Sequence, residues 1–114
     1  MKRACTIICP EQHDIEIMVA DTFWSRFKGL MGTRSLAPFT GLLLADCNAI
    51  HMFFMHYALD IVFIDDDYTI IKVVENVRPW HISICHKAKH TIEVPVGTIV
   101  ACGWQCGMQL KRKK

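Results

Sequence analysis

The residues best equipped for chemistry crowd into one run, "IHMFFMHYALDIVFIDD", from Ile50 to Asp66. It mixes His51, His56, Met52, Met55 and Asp60 with three phenylalanines. Histidine and methionine are soft donors that suit copper(I). In an extended strand, side chains alternate between faces. His51 and Met55 then share one face and His56 takes the other, so the two histidines point apart and do not chelate together. His51 with Met55 is the sharper pair, but two ligands do not make a site. The plainer reading is a histidine hydrogen-bonded at the rim of a core that Met and Phe fill.

Asp60 sits inside the apolar stretch "YALDIVFI". A carboxylate buried there needs a partner, because an unpaired buried charge costs several kcal/mol or loses its ionisation. Arg26 and Arg34 are the available cations, and a guanidinium can grip a carboxylate by two parallel bonds. The alternatives are a structural ion pair, a ligand-facing group, or a general acid or base beside His51.

The six cysteines suggest a third chemistry. Cys5 and Cys9 are spaced C-x3-C, as are Cys102 and Cys106. If the two pairs met, four thiolates could hold zinc. The usual spacing is tighter, and residues four apart on a strand lie about 13 Å apart. Gly103 could supply the needed turn in "CGWQC", whereas "CTIIC" has no such residue. Asp65, Asp66 and Asp67 lack the ligand ladder of a calcium loop and read as a turn. No phosphate-binding loop, dinucleotide fingerprint or nucleophile elbow is present.

These residues need a scaffold. The 114-residue chain fits one domain, 1–114, and its 52% hydrophobic content can build a core. A net charge of +2 with 21% charged residues offers no basic stripe for nucleic acid. The basic end, residues 111–114, reads as a solvated tail. No run reaches the roughly 20 apolar residues of a membrane helix, and the short apolar start stops at Pro10. The expectation is a cytoplasmic chain with reduced thiols.

Alternation of Ile15, Ile17 and Val19 with polar neighbours predicts a strand. In "ADTFWSRFKGLMGTR" the period changes to that of a helix near residues 22–31, opened by Asp21 or Thr22 and stopped by Gly32. Strands are expected at 42–45, 50–57 and 59–64. A hairpin through the aspartates leads to 68–74, an edge or crossing segment follows at 77–80, and closing strands lie at 91–94, 98–102 and 108–110. The fold class is mainly β (α+β): a compact barrel or sandwich of about seven to nine short strands with one short helix.

Several pieces in order, "ADTFWSRFKGLMGTRSL", "GLLL", the run from Ile50 to Trp80, and "TIEVPVGTI", make residues 15–110 resemble the domain of unknown function number 192 family. The resemblance implies a mainly β fold with a short helix and no agreed activity. It highlights Arg26, Gly29, Leu30, Met31, Gly41, His51, Met55, Asp60, Pro79, Trp80, Glu93 and Gly97. The family's closing strand usually carries Gly-Asp; here it is Gly107-Met108.

The leading expectation is a ligand- or protein-binding accessory module, its polar patch made of Arg26, His51, Met55, Asp60 and Trp80. Its partner would be a small molecule or a protein. No cofactor, nucleic acid or membrane is expected, and the chain should be a monomer or weak homodimer. The alternatives are a small enzyme using Asp60 and His51 as an acid–base pair, and a metal-handling protein using Cys5, Cys9, Cys102 and Cys106 or the His and Met side chains.

Overall fold

The computed structural model describes residues 2–9, 14–20, 36–52 and 55–113. The helix expected near 22–31, with Arg26, Gly29, Leu30, Met31 and Arg34, lies outside them, as do Phe53 and Phe54.

Nine strands and one short helix fill the described residues. They are β1 Lys2–Ile7, β2 Ile15–Ala20, β3 Thr40–Leu44, β4 Ala49–His51, β5 Leu59–Ile64, β6 Ile70–Val77, β7 Ile82–Ile84, β8 His90–Pro95, α1 Thr98–Cys102 and β9 Arg112–Lys113. Seven strands form one sheet in the order β6-β5-β8-β3-β2-β1-β9, and β4 pairs with β7 apart from it. All pairs are antiparallel except β2–β3. The fold is mainly β, as the punctuation by turns predicts. The barrel is not closed, because the order ends at β6 and β9. An isolated bridge, Thr69 to Gln109, ties the start of β6 to the segment before β9.

Both faces of the large sheet are covered. On one, Ile17, Leu43, Val62, Ile64, Ile92 and Val94 pack with Ile99, Trp104 and Leu110. On the other, Leu42, Leu44, Leu59, Ile61 and Phe63 pack with Ile50, Met52, Met55 and Val77. Strand β5 is paired on both sides, by β6 and β8, and all six of its residues are buried. That explains its apolar text, interrupted by Asp60 alone: a strand covered on both sides has no polar face.

The hairpin at the aspartates forms as expected. Asp65 Oδ1 accepts from the N–H of Asp67 and of Thr69, both at 2.9 Å, which closes the turn with a side chain in place of a backbone group.

Three expectations are corrected. The strand foreseen over 50–57 stops at His51: Met52 turns its carbonyl to the N–H of Trp80 at 2.7 Å and its own N–H to the His81 carbonyl at 2.7 Å. Residues 98–102 form α1, not a closing strand. Their β-branched character favours a strand, but Gly97 at φ 98° opens a helix and Gly103 at φ 66° ends it. The N–H groups of Gly103 and Trp104 return to the Val100 and Ile99 carbonyls, a left-handed helix stop. Finally, the basic end is not a free tail in its backbone. β9 pairs with β1, Ile7 opposite Arg112, and the Arg112 guanidinium lies 4.2 Å from the Tyr68 ring centroid.

Gly41 is set by close packing. A Cβ there would stand 2.8 Å from Ile17 Cδ1 and 2.9 Å from Val94 Cγ1. Gly41→Ala is expected to destabilise the fold by about 1–3 kcal/mol through overpacking, read as a lower urea midpoint with an unchanged slope.

Candidate functional site

Asp60 and Glu93 lie on neighbouring strands and serve opposite purposes. Asp60 pairs in register with Val94, and its side chain is fully buried. Its oxygens are occupied by backbone: Oδ1 accepts from Asn76 N–H at 2.9 Å, and Oδ2 from Gly97 at 3.0 Å and Ile99 at 3.2 Å. Asn76 can present its N–H because β6 bulges there, with Leu59 opposite Val77 but Ile61 opposite Val74, and Asn76 itself at φ 53°. Asp60 therefore holds the bulge of β6 and the first turn of α1 to the sheet. The partner that burial demands is the main chain.

Among the described residues, Glu93 has no such partner for its Oε1. It sits on β8 between Leu42 of β3 and Ile61 of β5, on the face that Met52 and Met55 cover. It is 5% exposed, and Oε1 is buried with no hydrogen-bond partner. Burial alone pushes its carboxyl up from an ordinary 4.5 to about 7. Buried polar atoms are nearly always satisfied, and strongly shifted carboxyls cluster where function requires them.

Met55 is buried in the cluster on that face. His51 ends β4, opposite Ile82, and turns Nδ1 into the interior. His56 is exposed. Trp80 is 59% exposed, at φ 71°, on the turn before β7. The structure thus brings Met55 to the layer over Glu93, whereas on β4 the side chain in that layer is that of Ile50, the neighbour of His51. Asp60, between Leu59 and Ile61 of that face, turns to the other. Sequence reasoning ranked Asp60 above Glu93 because a lone acid amid aliphatics draws attention. Glu93 stood out through the family pattern alone. The available signal was "HTIEVP" itself, an acid in the middle of a β-branched strand.

The cysteine pairs do meet, one member from each. Cys9 and Cys102 form a disulfide across a sequence separation of 93, which departs from the expectation of six reduced thiols. Cys5 is half-buried; burial pushes its thiol up, partly offset by a hydrogen bond with Tyr68 and the charge of Arg112. Cys106 donates its thiol to the Ile71 carbonyl at 3.0 Å. Among the described residues, no three of His, Cys, Asp or Glu stand close enough to share a metal ion.

The family model DUF192, described as "Uncharacterized ACR", matches residues 6–112. This chain belongs to that family. It is 38% identical over 88 residues to a UPF0127 protein of Thermococcus sibiricus, covering 73% of this chain and 56% of that one. It is 32% identical over 101 residues to a UPF0127 protein of Pyrococcus furiosus, covering 85% and 86%. The chain thus spans little more than half of the first relative. Its fold superposes at a TM-score of 0.83 on a Sinorhizobium meliloti structure described as a candidate transcription regulator, with 26% identity over 98% of this chain and 96% of that one. A protein of unknown function from Novosphingobium aromaticivorans has the same fold, with a TM-score of 0.82, 19% identity, and coverage of 96% and 84%.

Proposed function

We propose that this DUF192 domain is a binding or accessory module, and that its ligand donates hydrogen bonds to Glu93. The observation that carries this is the buried Glu93 Oε1 without a partner. An ionised carboxylate there lowers stability and gives the fold nothing in return. An amine, amidine or guanidinium group, from a small molecule or a partner's side chain, would satisfy it. Met55 belongs to the layer over this carboxyl, and His51 and Trp80 are proposed for its rim. Asp60 leaves the contact set because both its oxygens are already engaged.

The test is a thermal-shift series with ethylamine, benzamidine and guanidinium at pH 6 to 8. Stabilisation of the wild type should grow with pH and vanish in Glu93→Gln. Equal stabilisation of both proteins, or none of either, removes the reading. The unliganded protein supplies a separate prediction. The folded carboxyl titrates near 7 and the unfolded one near 4.5, so between these values the folded state holds more protons. Stability therefore falls as pH rises through this window, by about 3 kcal/mol, and levels off above it. Urea melts from pH 4 to 8 should show that fall in the wild type and lack it in Glu93→Gln.

One observation favours a second reading. A carboxyl with a pKa of about 7 is suited to proton transfer at neutral pH. As an enzyme, the domain would use Glu93 as its acid–base group in place of Asp60. Folded Glu93→Gln protein that retains any activity found would exclude it.

We read the chain as a monomer or weak homodimer. A net charge of +2 gives little attraction for a polyanion such as nucleic acid. No described helix is long and apolar enough to cross a membrane. A cytoplasmic setting would keep Cys9 and Cys102 reduced, whereas their disulfide favours an oxidising one. Thiol counting on protein alkylated at lysis decides between them. Four reactive thiols, those of Cys5, Cys47, Cys85 and Cys106, mean a closed bridge; six mean an open one.

A further inference from the structure

A second surface, whose lining does not include Glu93, lies at the end of the large sheet. Strand β6 is terminal in the strand order. Among the described residues, its outer side is engaged only near its start. Ile70 N–H donates to the Met108 carbonyl at 2.7 Å, the Ile70 carbonyl accepts from Gly107 at 2.8 Å, and the Ile71 carbonyl takes the Cys106 thiol. Beyond Ile71, no described strand pairs with that side. Strand β7 is likewise bonded only to β4. Between them runs a groove of about 340 Å³, lined by residues 74–78 and 81–83.

A strand edge offers a row of backbone donors and acceptors that another chain can complete. On β7, Ile82 is 59% exposed and Ile84 45% exposed, on the same side of the strand, with half-buried Ser83 between them. Lys72, whose Nζ donates to the Ile84 carbonyl at 3.2 Å, stands towards one end of the groove, and Arg78 at the other. The acid lining it is Glu75. A second copy of this chain is a poor occupant. Antiparallel pairing of two β6 edges centred on Glu75 would set Lys72 opposite Arg78 and Glu75 opposite itself, and like charges directly opposite are destabilising.

We propose that this groove takes an extended segment of a partner protein, with alternating apolar and acidic residues, as an added strand on β6. Its backbone would extend the ladder past Ile71. Its acids would meet Lys72 and Arg78, and its apolar side chains would cover Ile82 and Ile84. This surface does not use Glu93, so the two proposals stand separately.

The test uses the full chain and fluorescein-labelled eight-residue peptides of alternating Val and Glu, or Val and Lys. Fluorescence anisotropy should show binding of the Val/Glu peptide, weakened roughly tenfold or more by Arg78→Glu, since reversal sets like charges together. Amide exchange should slow at Val73 to Glu75 on binding. Failure of the Val/Glu peptide to bind, equal affinity for the Val/Lys peptide, indifference to Arg78→Glu, or exchange protection elsewhere would each overturn the proposal. So would a concentration-dependent dimer in sedimentation that Val74→Pro abolishes, since a second copy would then be the occupant.

Discussion

Asp60→Ala is expected to cost about 4 kcal/mol or more, read as a large fall in the urea midpoint. The carboxylate accepts from three backbone N–H groups, those of Asn76, Gly97 and Ile99. Hydrogen bonds to a charged acceptor contribute roughly 1.5–3 kcal/mol each, and a buried donor left unpaired costs its full desolvation. The total stability of a small domain is about 5–15 kcal/mol, so this one side chain accounts for a large share. Asp60→Asn separates the two ends of the interaction. Its amide keeps one oxygen, so either the β6 bulge or the α1 turn retains an acceptor while an NH₂ faces the other. An intermediate loss follows, and amide exchange should quicken at one of those sites more than the other. A folded Asp60→Ala protein of near wild-type stability would show that the contacts carry little energy. The enzyme reading built on Asp60 and His51 predicts the contrary pattern, folded protein with altered chemistry.

Reduction of the Cys9–Cys102 bridge should lower stability by about 3–5 kcal/mol, because the closed loop is long and the chain entropy released on unfolding grows with its length. The sequence separation of 93 spans most of the chain. The bridge joins the stretch after β1 to the last residue of α1, so α1 is held at its start by Asp60 and at its end by sulfur. Both cysteines are buried. Thermal melts with and without dithiothreitol should differ by on the order of 15 °C, and Cys9→Ala/Cys102→Ala should be insensitive to the reductant. An unshifted melt, after mass spectrometry has confirmed reduction, would contradict the estimate.

These effects bear on what a reader of the text can see. The hairpin at Asp65 was legible, because its geometry is set by residues within four positions of one another. So were β2, β5 and the mainly β class, which follow from apolar period and turn residues. Glu93 stood out through the family pattern, but its missing partner was not visible. Satisfaction of a buried atom depends on neighbours brought from β3 and β5. Met55 reached the layer over Glu93 by a route that strand alternation did not foresee, because the strand breaks after His51.

The sequence by itself determined the class of fold, the family and the short list of residues worth testing. Local propensity, periodicity and ordered motifs act along the chain and can be read along it. Tertiary structure alone decided the rest: that 98–102 coils into a helix, that Asp60 is held by main chain, that Cys9 finds Cys102, and that Glu93 Oε1 has no partner among the described residues. Each of these depends on atoms far apart in sequence coming within bonding distance, where packing and desolvation outweigh the preference of any short segment.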